Sequence, residues 1–234
     1  MNSDSIPNTS KPIDRKKFLF DIVIYISIMF LVREIYFPEL GFLTNGIFWT
    51  LTTLVVATWR MRVRNVTWGE LGLCKPKSIL KTFGVSVLIL VAVVIAMIVF
   101  EMVKDNLPMM APEAVSEDSS SRFGNLKGNW MRLLFIMPVV LLESMLEELL
   151  DRGFLINWIE RLFSSTTFAT AIAVVLQAVI FGFRHSYDFS ARSLSVGIIG
   201  LIMGIAYVKS GRNLWPLIIA HCLLNTMSMI DRVQ

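Results

Sequence analysis

Residues 133–162 read LLFIMPVVLLESMLEELLDRGFLINWIERL. The stretch is apolar over 133–142 and then carries Glu143, Glu147, Glu148, Asp151 and Arg152 inside what is otherwise a membrane-spanning run. An ionisable side chain at membrane depth is costly unless it is paired or opens onto a wet cavity, so such a cluster reads as a functional site or an internal ion pair. The rest of the chain shows that a membrane is the setting.

Of 234 residues, 55% are hydrophobic and only 17% charged, the mean hydropathy is +0.64 and the formal net charge is +4. Soluble domains carry about 25% charged residues, which excludes a soluble domain, a disordered tail or a nucleic-acid-binding module. A spanning helix needs roughly 20 mainly apolar residues. Residues 40–59, 82–100, 162–183 and 213–230 contain no Asp, Glu, Lys or Arg, and 193–208 is a shorter run of the same kind. Residues 18–32 are apolar apart from Asp21, and the polar tail before them, without a small-residue cleavage site, argues for a first span rather than a removable signal. With 130–162, these make an all-α, multi-pass transmembrane bundle of about seven spans.

Orientation follows from Lys and Arg in the short loops. Lys11, Arg15, Lys16 and Lys17 precede the first span, and Arg60, Arg62, Arg64, Lys75, Lys77 and Lys81 follow the second, so both segments are expected in the cytoplasm. These ten residues are suited to anionic lipid headgroups, at about 1 kcal/mol each near the surface. Residues 101–132 mix both signs and are expected on the other face, with 117–122 a polar loop. The organisation is a cytoplasmic tail (1–17), N-terminal spans and loops (18–128) and a membrane core (129–234) formed by the last four spans.

At about 100° per residue, Glu143, Glu147 and Asp151 share one stripe of the acidic helix, while Glu148 and Arg152 form a second, an i, i+4 pair in the favourable order. The second stripe reads as a salt bridge. Glu147, whose helical neighbours are other acids, is the candidate for proton transfer, and Glu143 is placed to tune it or to line a water path. Asp21 lies apart from this cluster and is expected to be dispensable for the chemistry. His185 and His221 are the only histidines, and Cys74 and Cys222 the only cysteines, so neither a Cys/His zinc cluster nor a disulfide framework can be built within one chain. Phe181 and His185 are four apart, as are His221 and Asn225, so each pair shares a helical face. If the chain turns at Ser164 and Ser165, Glu147 and His185 lie about 25 and 31 Å from the turn, roughly level. His221 and Asn225 enter the last span at a depth that tilt can bring toward them. Cys222 reads as an inert buried thiol, and Arg184 as either a contact for a substrate carboxylate or a snorkelling side chain.

Glu147-Glu148-Leu149-Leu150-Asp151-Arg152 resembles the EExxxR motif, Phe181-Gly182-Phe183-Arg184-His185 the FxxxH motif and His221-Cys222-Leu223-Leu224-Asn225 the HxxxN motif of the CAAX protease and bacteriocin-processing family, CPBP or Abi. The resemblance covers 133–230, and Trp68-Gly69-Glu70-Leu71-Gly72-Leu73 also looks like a segment found in this family. It implies an intramembrane endopeptidase acting on peptide or lipid-anchored protein substrates, CAAX-type among them, in the cell membrane if the chain is prokaryotic. Carried over, Glu147 and His185 position and deprotonate water, His221 and Asn225 stabilise the oxyanion, and Glu148 and Arg152 support them. A metal-free glutamate mechanism is favoured, with a divalent metal such as zinc as the alternative. Two other readings stand beside it: a self-immunity or scaffold protein of the same fold, and a transporter with an acidic and histidine relay, although no inverted repeat is visible.

Overall fold

A computed structural model describes residues 14–106, 123–188 and 190–234. Most of the 1–17 tail and the whole polar loop 117–122 lie outside the described residues. The described chain is all helical and forms a bundle of seven helices. These are α1 (Arg15–Leu31), α2 (Gly41–Val63), α3 (Ile79–Val103), a long rod, α6 (Ala169–Ser186), α7 (Ala191–Lys209) and α8 (Trp215–Asp231). The rod consists of α4 (Trp130–Glu147), a π-helical stretch (Glu148–Ile156) and α5 (Asn157–Leu162).

Local chemistry sets several boundaries. Ser78 and Asn129 cap α3 and α4 by accepting from the backbone N–H of Lys81 and Arg132, and Pro216 sits in the first turn of α8, where its missing N–H costs nothing. Tyr187, with φ +58°, ends α6 in the left-handed region, its N–H donating to the Phe183 carbonyl at 2.7 Å.

Four helices are long and apolar enough to cross a membrane: Pro38–Val63, Ile79–Val103, Ala169–Ser186 and Ala191–Lys209. The other three expected spans are present as helices, with α1 and α8 each 17 residues long and the rod interrupted by its charges. On α3, Leu80, Leu88, Ile95 and Met102 are exposed, an apolar face suited to lipid tails rather than water.

Two expectations from the sequence are corrected. The uncharged run 162–183 is not one helix: a turn occupies 163–168 and α6 runs from Ala169 to Ser186. The rod is not α-helical throughout, so the 100° arithmetic holds up to Glu147 and fails after it. The wider i→i+5 winding of a π-helix is local strain that a bundle retains mostly at functional sites.

Charge is buried with its partners at the basic end too. Asp21 is fully buried, and its carboxylate accepts from Arg60 Nε (2.8 Å), Arg64 Nε (2.7 Å) and Trp158 Nε1 (3.1 Å), joining α1, α2 and α5. Asp21 is therefore a structural keystone. Nearby, Phe154 and Trp158 stack with ring centroids 4.3 Å apart and Tyr25 packs on Phe154.

The loop after α2 is docked rather than loose. Thr67 and Glu70 cap each other reciprocally, Thr67 N–H to Glu70 Oε2 (2.6 Å) and Glu70 N–H to Thr67 Oγ1 (3.3 Å), and these bonds hold the Glu70 carboxyl below its usual range. The Leu71 carbonyl accepts from Tyr207 Oη (2.7 Å) and the Gly72 carbonyl from Leu214 N–H (3.0 Å). Gly72 has φ +104°, and a Cβ there would stand 1.9 Å from the Arg212 carbonyl oxygen, so no side chain fits.

Asp21→Ala strands Arg60 and Arg64 in the bundle, and removing one partner of a buried ion pair costs about 3–5 kcal/mol. The expected result is a clearly lowered melting temperature for the detergent-solubilised protein. An unchanged melt would show that this cluster does not hold the three helices together.

Candidate active site

The acidic rod meets α6 and α8 at Glu147 and Glu148. Glu147 Oε1 lies 3.7 Å from His185 Nε2 and its Oε2 lies 3.7 Å from His221 Nε2. One carboxylate thus faces both histidines. Arg184 reaches the same group, its NH2 standing 3.3 Å from Glu147 Oε1 and 2.7 Å from Asp151 Oδ2. Glu148 Oε1 contacts His221 Nδ1 at 2.7 Å and accepts from Arg152 NH1 at 3.1 Å. Adjacent glutamates therefore grip the two nitrogens of one imidazole. The sequence put them on separate stripes.

Each imidazole is held from behind. His185 Nδ1 lies 2.6 Å from the Phe181 carbonyl, which takes the Nδ1–H and leaves Nε2 as the lone-pair nitrogen turned to Glu147. The Phe181 ring lies 4.6 Å from the His185 ring and carries the Arg152 guanidinium at 4.3 Å and that of Arg184 at 5.1 Å. It is a platform for two cations, beyond the ordinary packing neighbour the sequence reads.

Exposure separates the groups. Glu148, Asp151 and Arg152 are wholly buried, while the side chains of Glu147 and His185 keep 23% and 24% of their surface accessible. Glu147 and His185 are thus the accessible groups, and Glu148, Asp151 and Arg152 stand behind them.

Among the sequence candidates, Glu147, His185 and His221 come together, and Glu148 with Arg152 form the expected pair. Asn225 does not join them directly: its Nδ2 donates to Ser144 Oγ at 2.8 Å, and Ser144 lies one turn before Glu147 and Glu148 on the rod. Glu147 is surrounded by Arg184 and two imidazoles, whereas helical spacing alone places it among acids. Arg184 neither snorkels nor waits free for a substrate carboxylate, because it is buried and already paired twice. A charge balance could have found it, since the four acids over 143–151 have a single base directly beside them, Arg152.

The closeness of α6 and α7 fixes His185. A Cβ on Gly182 would come 2.4 Å from the Ser193 carbonyl oxygen and 3.0 Å from Gly197 Cα, so the backbones touch through small residues. The donor set also bears on the metal alternative. Among the described residues no group of three or more His, Cys, Asp or Glu side chains is placed to hold a metal ion, and one oxygen of Glu147 already faces the Arg184 cation, which opposes a divalent ion there.

Residues 129–227 match the family described as type II CAAX prenyl endopeptidase Rce1-like, so this segment of the chain is similar to that family. The match agrees with the resemblance read from the motifs and supports a protease of the membrane. Comparison with curated proteins and with solved structures gives no match.

Gly182→Ala should push α6 from α7 at a backbone contact that cannot yield, an overpacking cost of about 1–3 kcal/mol. The expected readout is a lower melting temperature together with weakened activity. Wild-type values for both would mean that this contact does not position His185.

Proposed function

We propose that residues 129–234 form the catalytic core of an intramembrane endopeptidase that hydrolyses peptide bonds of peptide or lipid-anchored protein substrates, with Glu147 and His185 activating the water. The observation that carries this reading is the 3.7 Å gap between Glu147 Oε1 and His185 Nε2. The gap is too long for a direct hydrogen bond and suits one bridging water. That water donates one proton to each acceptor and turns its lone pair outward, toward the carbonyl of a substrate reaching the accessible side.

Attack forms the C–O bond and transfers the water's proton to Glu147, while Arg184 supports the carboxylate in its basic form. Three carboxylates, Glu147, Glu148 and Asp151, stand against two guanidiniums, Arg152 and Arg184. His221 Nδ1 is held by Glu148 at 2.7 Å, and the Nε2 edge of the ring serves the oxyanion of the tetrahedral intermediate. Asn225 uses one Nδ2 hydrogen on Ser144 and keeps a second for the same oxygen. Collapse of the intermediate breaks the C–N bond as Glu147 passes its proton to the leaving amine. Glu148 and Arg152 position His221 without touching substrate.

The mechanism is metal-free and the partners are membrane lipid and a protein substrate, with no nucleic acid. In a prokaryotic cell the setting is the cell membrane. The basic cytoplasmic segments supply the lipid contact.

Glu147→Gln and His185→Ala should each lower cleavage of a CAAX-type peptide in proteoliposomes by about 10²–10⁴-fold while the fold is retained. Undiminished cleavage by Glu147→Gln would sink the assignment. Treatment with a strong zinc chelator should leave the wild-type rate unchanged, whereas loss restored by added zinc would replace the glutamate mechanism with a metal-dependent one.

A further inference from the structure

Beyond the catalytic groups, one arginine at the rim of the site is unclaimed by the chemistry. Arg33 lies in the short 3-10 turn Val32–Glu34 that follows α1. Its guanidinium stands 5.3 Å from the Trp49 ring centroid and 5.2 Å from that of Tyr187. Trp49 is itself fixed, its Nε1 donating to the Ile35 carbonyl at 2.8 Å. Arg33 NH1 donates to the Arg184 carbonyl at 3.0 Å, and the cation is within electrostatic reach of Glu143, Glu147 and His185.

Among the described residues, no carboxylate lies within ion-pair distance of Arg33. The other cations at the two buried clusters, Arg60, Arg64, Arg152 and Arg184, each have one. Capping the C-terminal end of α6 and a side-chain interaction with Tyr187 engage only part of its five N–H donors. A planar guanidinium held by two aromatic rings at the edge of a catalytic site is a ready fork for two anionic oxygens.

Arg33 also lies close to the reacting groups. Arg33 and Glu147 contact the same residue, Arg184, one at its carbonyl and the other at its guanidinium, so a substrate carbonyl at Glu147 and a substrate anion at Arg33 can belong to one short peptide.

We infer that Arg33, framed by Trp49 and Tyr187, is a specificity residue that binds the free C-terminal carboxylate of the substrate. The inference rests on the endopeptidase reading. A lipid phosphate offers similar anionic oxygens, and the experiment separates the two sources.

The test uses the full chain in nanodiscs and a fluorogenic peptide ending in a CAAX-type tetrapeptide, prepared as the free acid and as the C-terminal amide. Wild type should prefer the acid at least ten-fold in kcat/KM, mainly through KM. Arg33→Gln should bring that ratio to about one, and Arg33→Lys should restore part of it. Equal handling of acid and amide by wild type would overturn the proposal. So would an Arg33→Gln variant that slows both while keeping their ratio, because that is the behaviour of a helix cap alone. The runs are repeated in pure phosphatidylcholine and with one third phosphatidylglycerol. An Arg33 effect that follows the lipid and ignores the peptide terminus would assign the residue to headgroups and reject the proposal. If wild type cleaves neither peptide, anisotropy binding of the uncleaved acid and amide decides: a preference for the acid lost in Arg33→Gln supports the subsite while the endopeptidase reading falls, and no preference rejects the subsite as well.

Discussion

The cost of holding charge away from water governs this structure. Glu148, Asp151 and Arg152 are completely enclosed and Arg184 nearly so, and each is matched to an opposite charge from its own or a neighbouring helix. Any one of them alone would be intolerable in a bundle so poor in polar surface. The pairings therefore dictate which faces of α6 and α8 turn toward the rod. The arrangement proposed for catalysis is a by-product of that demand: once Arg184 must satisfy Asp151 and His221 must meet Glu148, both imidazoles arrive beside Glu147.

The same reasoning explains the gradient across the site. Ion pairs screened from solvent keep their geometry, so they serve as a rigid backing, while Glu147 and His185, the residues proposed to meet the reactant, stay partly accessible. Preorganisation is achieved through backbone as well as side chains. The Phe181 carbonyl selects the tautomer of His185 from within its own helix, and glycines on α6 and α7 let two helices touch closely enough to hold that helix still.

Much of this was legible in the chain. Hydropathy located the helices, and the only two histidines both proved to face Glu147, because so few polar residues can enter a membrane that each one carries information. The Glu148–Arg152 pair was visible from its spacing. What the sequence hid depends on departures from regular geometry and on contacts between distant segments. The π-helical winding brought Glu148 to the same imidazole as Glu147, which no α-helical wheel shows. Starting α6 at Ala169 made the level of His185 come out closer to Glu147 than residue counting gave, since the six residues of the turn add no helical rise. Arg184 and Asn225 found partners on the rod that a reading of their own segments could not supply. Glu70 and Gly72 belonged to a motif whose purpose is apparent only against Tyr207 and Leu214.

That last contact bears on what counts as a unit of this protein. The matched family segment begins at residue 129, yet its interior is closed by side chains from before it. Tyr25 from α1 lies against Phe154, Asp21 receives the indole of Trp158, and the Leu71 carbonyl caps the hydroxyl of Tyr207. One continuous apolar core includes α1, α2, α3 and the rod together with α6, α7 and α8. The boundary of sequence kinship thus cuts through a single folding unit. Residues 14–106, which precede the matched segment, are bound by shape to the half that carries the site.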